Sequence, residues 1–325
     1  MKKWMLPAGV EEALPPVSWQ IEDLRRKLLD HYRKSGYELV HPPLIEHLDA
    51  LLTGTAQDIE QQIFKLTDPD SGRLLGLRAD MTPQAARIAA RHYRDQAIVR
   101  LCYLGTVLRS QAGSLGGPRS PRQVGCEIFG EAGIAADLEI LRVMLKTLKL
   151  SGVKSVHLDL GHVGIYRATI GKLGLNADDE AALFDIVQRK SHPDLREFVQ
   201  ARGLKPRAAK AIADLLDLNG GIDVLERARE VLKGAGDEIA AALKLLAKIV
   251  AELRAEMPKL PIHLDLAELR GYRYHTGIVF AAFVPGHGRE IARGGRYDGV
   301  GHDFGAARPA TGFSADLNEL LRLGA

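Results

Sequence analysis

Between Arg91 and Cys126 the chain carries six arginines, no lysine and a single acid, Asp95. Such a run of permanently charged, planar donors suits an anionic ligand or an acidic partner surface, and a solvated face equally well. Within it lies a Gly/Ser/Pro-rich loop, Ser110 to Pro121. Its 12 residues are long for a hairpin connection, and loops of that length in a compact domain are usually functional or mobile. Asp80 stands just ahead of Thr82 and Pro83, where the start of a helix favours an acid through the macrodipole. The pair Gly294-Gly295 lets backbone pass close to a ligand, although a tight turn explains it as well. Cys102 and Cys126 are the only cysteines. Neither has a partner at metal-ligand spacing, so no metal is expected. Two cysteines in a chain this size do not make a disulfide scaffold, and a reducing compartment fits better.

These groups need a scaffold. The 325 residues are 46% hydrophobic, enough to bury one large core or two smaller ones. Charged residues make up 26% and the net charge is +3, too small by itself to imply nucleic acid. No apolar run approaches the roughly 20 residues of a bilayer span. Met1 to Val10 lacks the apolar core of a secretory signal, so the expected location is cytoplasmic.

Ser18 is read as the cap of a helix to Lys34, with Ile21, Leu24, Leu28 and Leu29 on one face. A short strand at Tyr37–Val40, a helix over 44–54 and strands at 61–67 and 73–78 follow. Thr82 is read as the N-cap of the next helix, with Pro83 at its first position. Strands at 98–109 and 122–130 flank the long loop, and a helix from Asp137 to Leu150 leads to a strand at Val156–Leu160. From 163 to 257 the chain is Ala-, Leu- and Lys-rich with helical periodicity, broken near Gly174, Gly203, Gly220 and Gly234. That segment is read as an all-helical insertion into a core formed by 1–162 and 258–325. Strands resume at 261–267, 275–284, 288–293 and 308–314, before a terminal helix. Strands, a helical insert and strands again favour an α+β fold with an antiparallel sheet. The tetrapeptide HLDL at 157–160 and 263–266 is explained by two buried strands.

Four segments, in order, resemble histidyl-tRNA synthetase, which implies a class II synthetase-like core flanked by helices. In Leu77-Arg78-Ala79-Asp80-Met81-Thr82, Asp80 and Thr82 match the acid and the Thr that hold the substrate amino group there. The family has Glu where Asp80 stands. Leu104 to Arg109 and Arg122 to Gly130 resemble motif 2. Arg109 matches the Arg that grips the α-phosphate, a task for a planar fork; Gln123 and Glu127 match residues lining the amino-acid pocket. The intervening loop departs from the family: Gln111 replaces Glu, and Gly117-Pro118-Arg119-Ser120-Pro121 replaces the run that reaches ATP. Leu269 to Gly277 resembles a signature of the histidyl enzymes; Arg270 matches the Arg that assists adenylate formation and Tyr274 a pocket tyrosine. Arg273 and His275 depart from it, standing for Asp and Tyr. Finally, Gly294 to Gly299 and Pro309 to Leu320 occupy the place of motif 3, where the family has Gly at position 316 and Arg at position 319.

The last exchange bears most on chemistry. Glu319 stands where the synthetases pair an Arg with the ATP γ-phosphate. Like charges at roughly 4 Å repel by about 1 kcal/mol in water and by several in a protein site. Losing a charged transition-state contact commonly costs about 10²–10³-fold in rate. The chain is also expected to lack the anticodon-binding domain, and with it specific tRNA binding.

A synthetase-like core with these losses resembles the regulatory subunits of ATP phosphoribosyltransferase, which act in the first step of histidine biosynthesis. That resemblance implies a non-catalytic chain without cofactor. It also implies a homodimer that joins a short-form catalytic subunit in a hetero-octamer, and feedback inhibition by histidine. The former substrate pocket, lined by Asp80, Thr82, Arg109, Gln123, Glu127, Arg270 and Tyr274, is then a candidate histidine sensor. Two other readings stay open. One is an amino-acid adenylating ligase of class II type that acts without an anticodon domain. The other is a nucleic-acid-binding remnant using the 91–126 arginines, whose binding would weaken steeply with salt.

Overall fold

The computed structural model describes residues 4–53, 57–111, 117–268, 274–299, 305 and 307–325. It divides into two compact units, Met1–Ser155 with Val284–Ala325, and Val156–Phe283. The first unit opens with helix α1 (Val17–Lys34) and strands β1 (Glu38–Leu39) and β2 (Ile45–His47). Helices α2 (Leu48–Leu52) and α3 (Gln57–Glu60) lead to β3 (Phe64–Thr67) and β4 (Leu74–Leu77). Helix α4 (Thr82–His92), strands β5 (Val99–Thr106) and β6 (Arg122–Phe129), and helix α5 (Ile134–Leu150) complete its first segment.

The second unit holds β7 (His157–His162), α6 (Val163–Ile170), α7 (Ala177–Gln188), α8 (His192–Arg202) and α9 (Pro206–Asp217). Then come β8 (Asn219–Gly220), α10 (Val224–Val231), α11 (Asp237–Glu256), β9 (Ile262–Asp265) and β10 (Ile278–Phe283). The chain returns to the first unit with β11 (Ala292–Arg296), β12 (Ala310–Asp316) and α12 (Leu317–Gly324).

In the first unit the strands run β1-β5-β6-β12-β11. All neighbours are antiparallel except β1 and β5. The sheet is therefore mixed at one edge, within the α+β class read from the sequence. Helix α5 packs across β6, β11 and β12, and α4 against β6. Its apolar stripe Ile140, Leu141, Met144 and Leu148 is fully buried, as an amphipathic helix on a sheet requires. A separate small sheet, β2-β4-β3, rests on Leu48, Leu51, Ile63 and Ala79. Gly76 in β4 is obligatory there, because a Cβ would sit 2.8 Å from Ile63 and 2.9 Å from Leu51.

In the second unit the strands run β10-β7-β9-β8. The two HLDL segments lie side by side in parallel, with Leu158 beside Ile262 and Leu160 beside Leu264. Leu158, Leu160, Leu264 and Leu266 are all buried, which explains the repetition. Segment 163–257 is helical except for β8, which pairs with β9. Gly174, Gly203, Gly220 and Gly234 all have positive φ, which favours a residue without a Cβ.

Several local expectations are corrected. Helix α1 starts at Val17 with no side-chain cap, because the preceding backbone at Pro16 is already helical, so Ser18 caps nothing. The predicted helix over 44–54 is a strand and then a helix, because residues 45–47 add to β4 as an edge. Thr82 is the first residue of α4 and not its cap; its hydroxyl turns to Tyr103. Strand β11 lies at 292–296, later than the predicted 288–293, because residues 284–290 form a turn ahead of it.

Candidate functional site

Strand alternation puts Gln123, Gly125 and Glu127 on one face of β6. Gly312 of β12 lies directly beside Glu127, and Tyr103 of β5 beside Gly125. Both glycines are required. A Cβ at Gly312 would fall 1.5 Å from Glu127 Oε2, and one at Gly125 would fall 2.5 Å from the Tyr103 hydroxyl and from the Phe313 carbonyl.

The space so freed is filled by a connected polar network. Glu127 is 1% exposed. The Tyr103 hydroxyl donates to its Oε1 at 2.8 Å, and the Tyr297 hydroxyl donates to its Oε2. Tyr103 also shares a 3.0 Å hydrogen bond with the Thr82 hydroxyl. Gln123 donates to Asp80 Oδ1 at 2.9 Å and accepts the Met81 N–H at 2.8 Å. Asp80 Oδ1 also accepts the Thr82 N–H at 2.8 Å, which closes the first turn of α4. Asp80, Met81 and Thr82 are thereby held against β5 and β6.

Burial pushes the Glu127 carboxyl up to about 8, against the lowering pull of Tyr297, Tyr103 and Thr82 and with a further push from Asp80. At neutral pH the carboxyl is thus mostly protonated. Burial and the Glu127 charge raise the Tyr103 phenol well above its ordinary value, so it serves as a neutral hydrogen-bonding group. Gln123 is buried, whereas Asp80 and Thr82 keep partial exposure. Glu127, Tyr103, Tyr297 and Thr82 therefore form a buried network rich in hydroxyls, with Asp80 partly exposed beside it. That chemistry suits a cationic or amino-bearing small ligand.

Arg109 follows β5. Burial lowers its guanidinium pKa; Asp80, Asp316 and Glu290 oppose that shift and Arg293 adds to it. Among the described residues its Nε is buried without a hydrogen-bond partner. Its backbone is locked to Arg119, whose carbonyl accepts the Arg109 N–H at 2.8 Å and whose Nε donates to the Arg109 carbonyl at 3.0 Å. Arg119 also sits 5.2 Å from the Phe64 ring centroid and donates its N–H to the Gly9 carbonyl at 2.7 Å. It is a brace for the loop. Arg100 likewise forms a two-point bridge to Glu139, with both contacts at 2.8 Å.

The place of motif 3 is occupied by internal contacts. Asp316 caps α12, accepting the Asn318 N–H at 3.0 Å. Glu319 is buried and pairs with Arg289. Its Oε1 lies 3.0 Å from His287 Nε2. Arg296, in the glycine-rich segment, is a buried clamp: it bridges Asp137 at 2.9 Å and donates to the carbonyls of Glu131 and Gly133.

Five sequence-predicted residues, Asp80, Thr82, Arg109, Gln123 and Glu127, are thus in the first unit, and four of them share the network. Tyr274 belongs to the second unit, where its ring meets His275 edge-on at 5.4 Å. Arg270 and Arg273 lie outside the described residues. Sequence reasoning missed Tyr103, Tyr297, Arg289 and His287. Tyr297 lay within the Gly294–Gly299 string, and Tyr103 immediately before Leu104, but only strand register shows that both reach Glu127.

The fold and this side-chain network define a class II synthetase-like protein. The family model described as histidyl-tRNA synthetase matches residues 9–320. A solved protein from Bacillus halodurans, described as an ATP phosphoribosyltransferase regulatory subunit/histidyl-tRNA synthetase, superposes with a TM-score of 0.87 at 27% identity. The match covers 99% of this chain and 84% of that one. The ATP phosphoribosyltransferase regulatory subunit of Thioalkalivibrio sulfidiphilus is 52% identical over 99% of this chain and 81% of its own length. That of Methylococcus capsulatus is 53% identical over 99% and 79%. The chain belongs to the family of ATP phosphoribosyltransferase regulatory subunits.

Proposed function

We propose that this chain is a non-catalytic subunit that activates a short-form ATP phosphoribosyltransferase catalytic subunit in the first step of histidine biosynthesis. One observation carries the non-catalytic part: Glu319 is buried and already paired with Arg289, at the position where adenylation by a histidyl-tRNA synthetase needs an Arg. The same contact disfavours an adenylating ligase. The nucleic-acid reading loses support because Arg100, Arg119 and Arg122 are engaged with Glu139, the Arg109 carbonyl and Asn318.

In this reading the chain dimerises, joins the catalytic subunit in a hetero-octamer and takes part in histidine feedback. The candidate histidine-binding residues of the first unit are Asp80, Thr82, Arg109, Gln123 and Glu127; the resemblance adds Arg270 and Tyr274 to the set. The acidic network around Glu127 supports it, since a set of carboxyl and hydroxyl groups suits an amino group or an imidazole. Segment 163–257 acts as an insertion into the synthetase-like core. Among the described residues no helix is long and apolar enough to cross a membrane, and we place the complex in the cytoplasm.

The test is to mix the purified chain with a short-form catalytic subunit and measure phosphoribosyl transfer, with histidine titrated into the chain alone and into the mixture. Activation without turnover by this chain supports the reading. Amino-acid-dependent pyrophosphate exchange at synthetase speed would overturn it.

A further inference from the structure

Arg78 stands between β4 and α4 and is only 7% exposed. Burial lowers its guanidinium pKa against the pull of the Glu46 charge. Glu46 itself is committed to Arg87 and Gln84. Among the described residues Arg78 bonds to no carboxylate. It donates instead to two backbone carbonyls, through Nε to Thr106 at 2.9 Å and through Nη1 to Pro42. Its backbone makes two more links: the N–H donates to the Leu44 carbonyl at 3.0 Å, and the carbonyl accepts the Leu108 N–H at 2.9 Å. Gly105 completes the fit, since a Cβ there would fall 2.6 Å from Nη2 and 3.5 Å from the Met81 sulfur. One residue thereby joins three stretches of chain, 42–44, 78–82 and 105–108. Two of these lead directly to candidate ligand residues. Asp80 follows Arg78 by two positions, and Arg109 follows Leu108 by one. The Asp80 charge is also among those that act on the Arg109 guanidinium.

We infer that Arg78 is a positioning residue, whose guanidinium fork fixes the spacing between Asp80 and Arg109 and with it the affinity of the site for an amino-acid ligand. A buried cation bonded only to neutral carbonyls is costly to keep. An apolar side chain of similar size would fill the same volume at less cost, but it could not hold carbonyls of two different segments at a fixed separation. Lysine keeps the charge and loses the planar fork, since its ammonium is a point donor on a flexible stem. This inference deepens the histidine-binding reading of Asp80 and Arg109 and rests on it. The competing account gives Arg78 a part in stability alone.

Two measurements on the full chain separate the accounts. The first needs no ligand: amide hydrogen exchange, followed by mass spectrometry over 78–82 and 105–109, where the Thr82, Leu108 and Arg109 N–H groups are hydrogen-bonded. Arg78→Lys should speed exchange in both segments. The second is calorimetric titration with L-histidine, which R78K should bind about tenfold or more weakly than the wild type. Leu148→Ala, in the buried stripe of α5, is the control. It removes apolar packing and no hydrogen bond of either segment, so it should lower the melting temperature and leave histidine affinity within about twofold. An R78K protein with unchanged exchange, or with unchanged affinity, overturns the inference. So does an equal loss of affinity in L148A, since stability alone then explains the effect. Should R78K not fold, Gly105→Ala presses a methyl group against Nη2 without removing a donor and should weaken histidine in the same way; unchanged affinity there also overturns it. A wild type that binds no histidine sinks the histidine reading and this inference together, whereas a wild type and an R78K that bind equally well sink the inference alone.

Discussion

Glu127→Gln offers a direct test of the buried network. Burial moves the Glu127 carboxyl from an ordinary 4.5 up to about 8. Between those values the folded chain holds a proton that the unfolded chain has released. More protons bound in the folded state means that stability falls as pH rises through this window. Over the whole window the loss amounts to roughly 5 kcal/mol, and between pH 5.5 and 8 to roughly 3 kcal/mol. Gln has the same outline and does not titrate, and its amide can serve both tyrosine hydroxyls. The wild type and E127Q should therefore diverge with pH, the variant gaining relative stability on the alkaline side. Denaturant unfolding of both proteins at pH 5.5 and 8 measures the divergence, and taking the difference cancels every other titrating group. Parallel stability-against-pH curves would refute the assignment of a proton to Glu127.

Other consequences are simpler to measure. Gly312→Ala drives a methyl group to 1.5 Å from Glu127 Oε2 and 2.8 Å from the Cys126 carbonyl, and should cost about 3 kcal/mol or more, read as a lowered melting temperature. His162 caps α6 by accepting the Gly164 N–H on Nδ1 at 3.1 Å, and burial pushes it down to about 4. Its contribution is present above the ordinary 6.5 and is lost as pH falls toward 4, because the unfolded chain takes up the proton first. Thermal unfolding of His162→Asn should keep the cap and lose this acid sensitivity, while His162→Ala should cost about 1 kcal/mol at neutral pH. Arg296→Met strands Asp137 inside the core and should destabilise by about 3–5 kcal/mol; an Asp137→Leu partner change should recover part of that in a double-mutant cycle.

Much of the site was legible from residue type and local pattern. The strand read at 122–130 and the resemblance together singled out Gln123 and Glu127. The helical period marked the helix after Ser18 to its end at Lys34, and the second was read from Asp137, one turn inside its start at Ile134; the match to the synthetase segments named Asp80 and Thr82, which the hydrogen-bond network joins to Gln123 and Glu127. The exchange of Arg for Glu at position 319 already argued against adenylation. Local pattern has no access to register, however. Which of the eight tyrosines reach Glu127 depends on how β5, β6, β11 and β12 are aligned, and a one-residue slip would send Tyr103 to the opposite face. The same holds for Gly312, whose need to be glycine exists only because Glu127 lies directly beside it. Tertiary structure also decided the state of the charges. Glu127 in β6 and Glu319 in α12 are both acids, yet burial beside two phenols raises the pKa of one, while the other lies against the Arg289 guanidinium. A carboxylate's chemistry is set by its solvation and its neighbours, and those are properties of the packed chain.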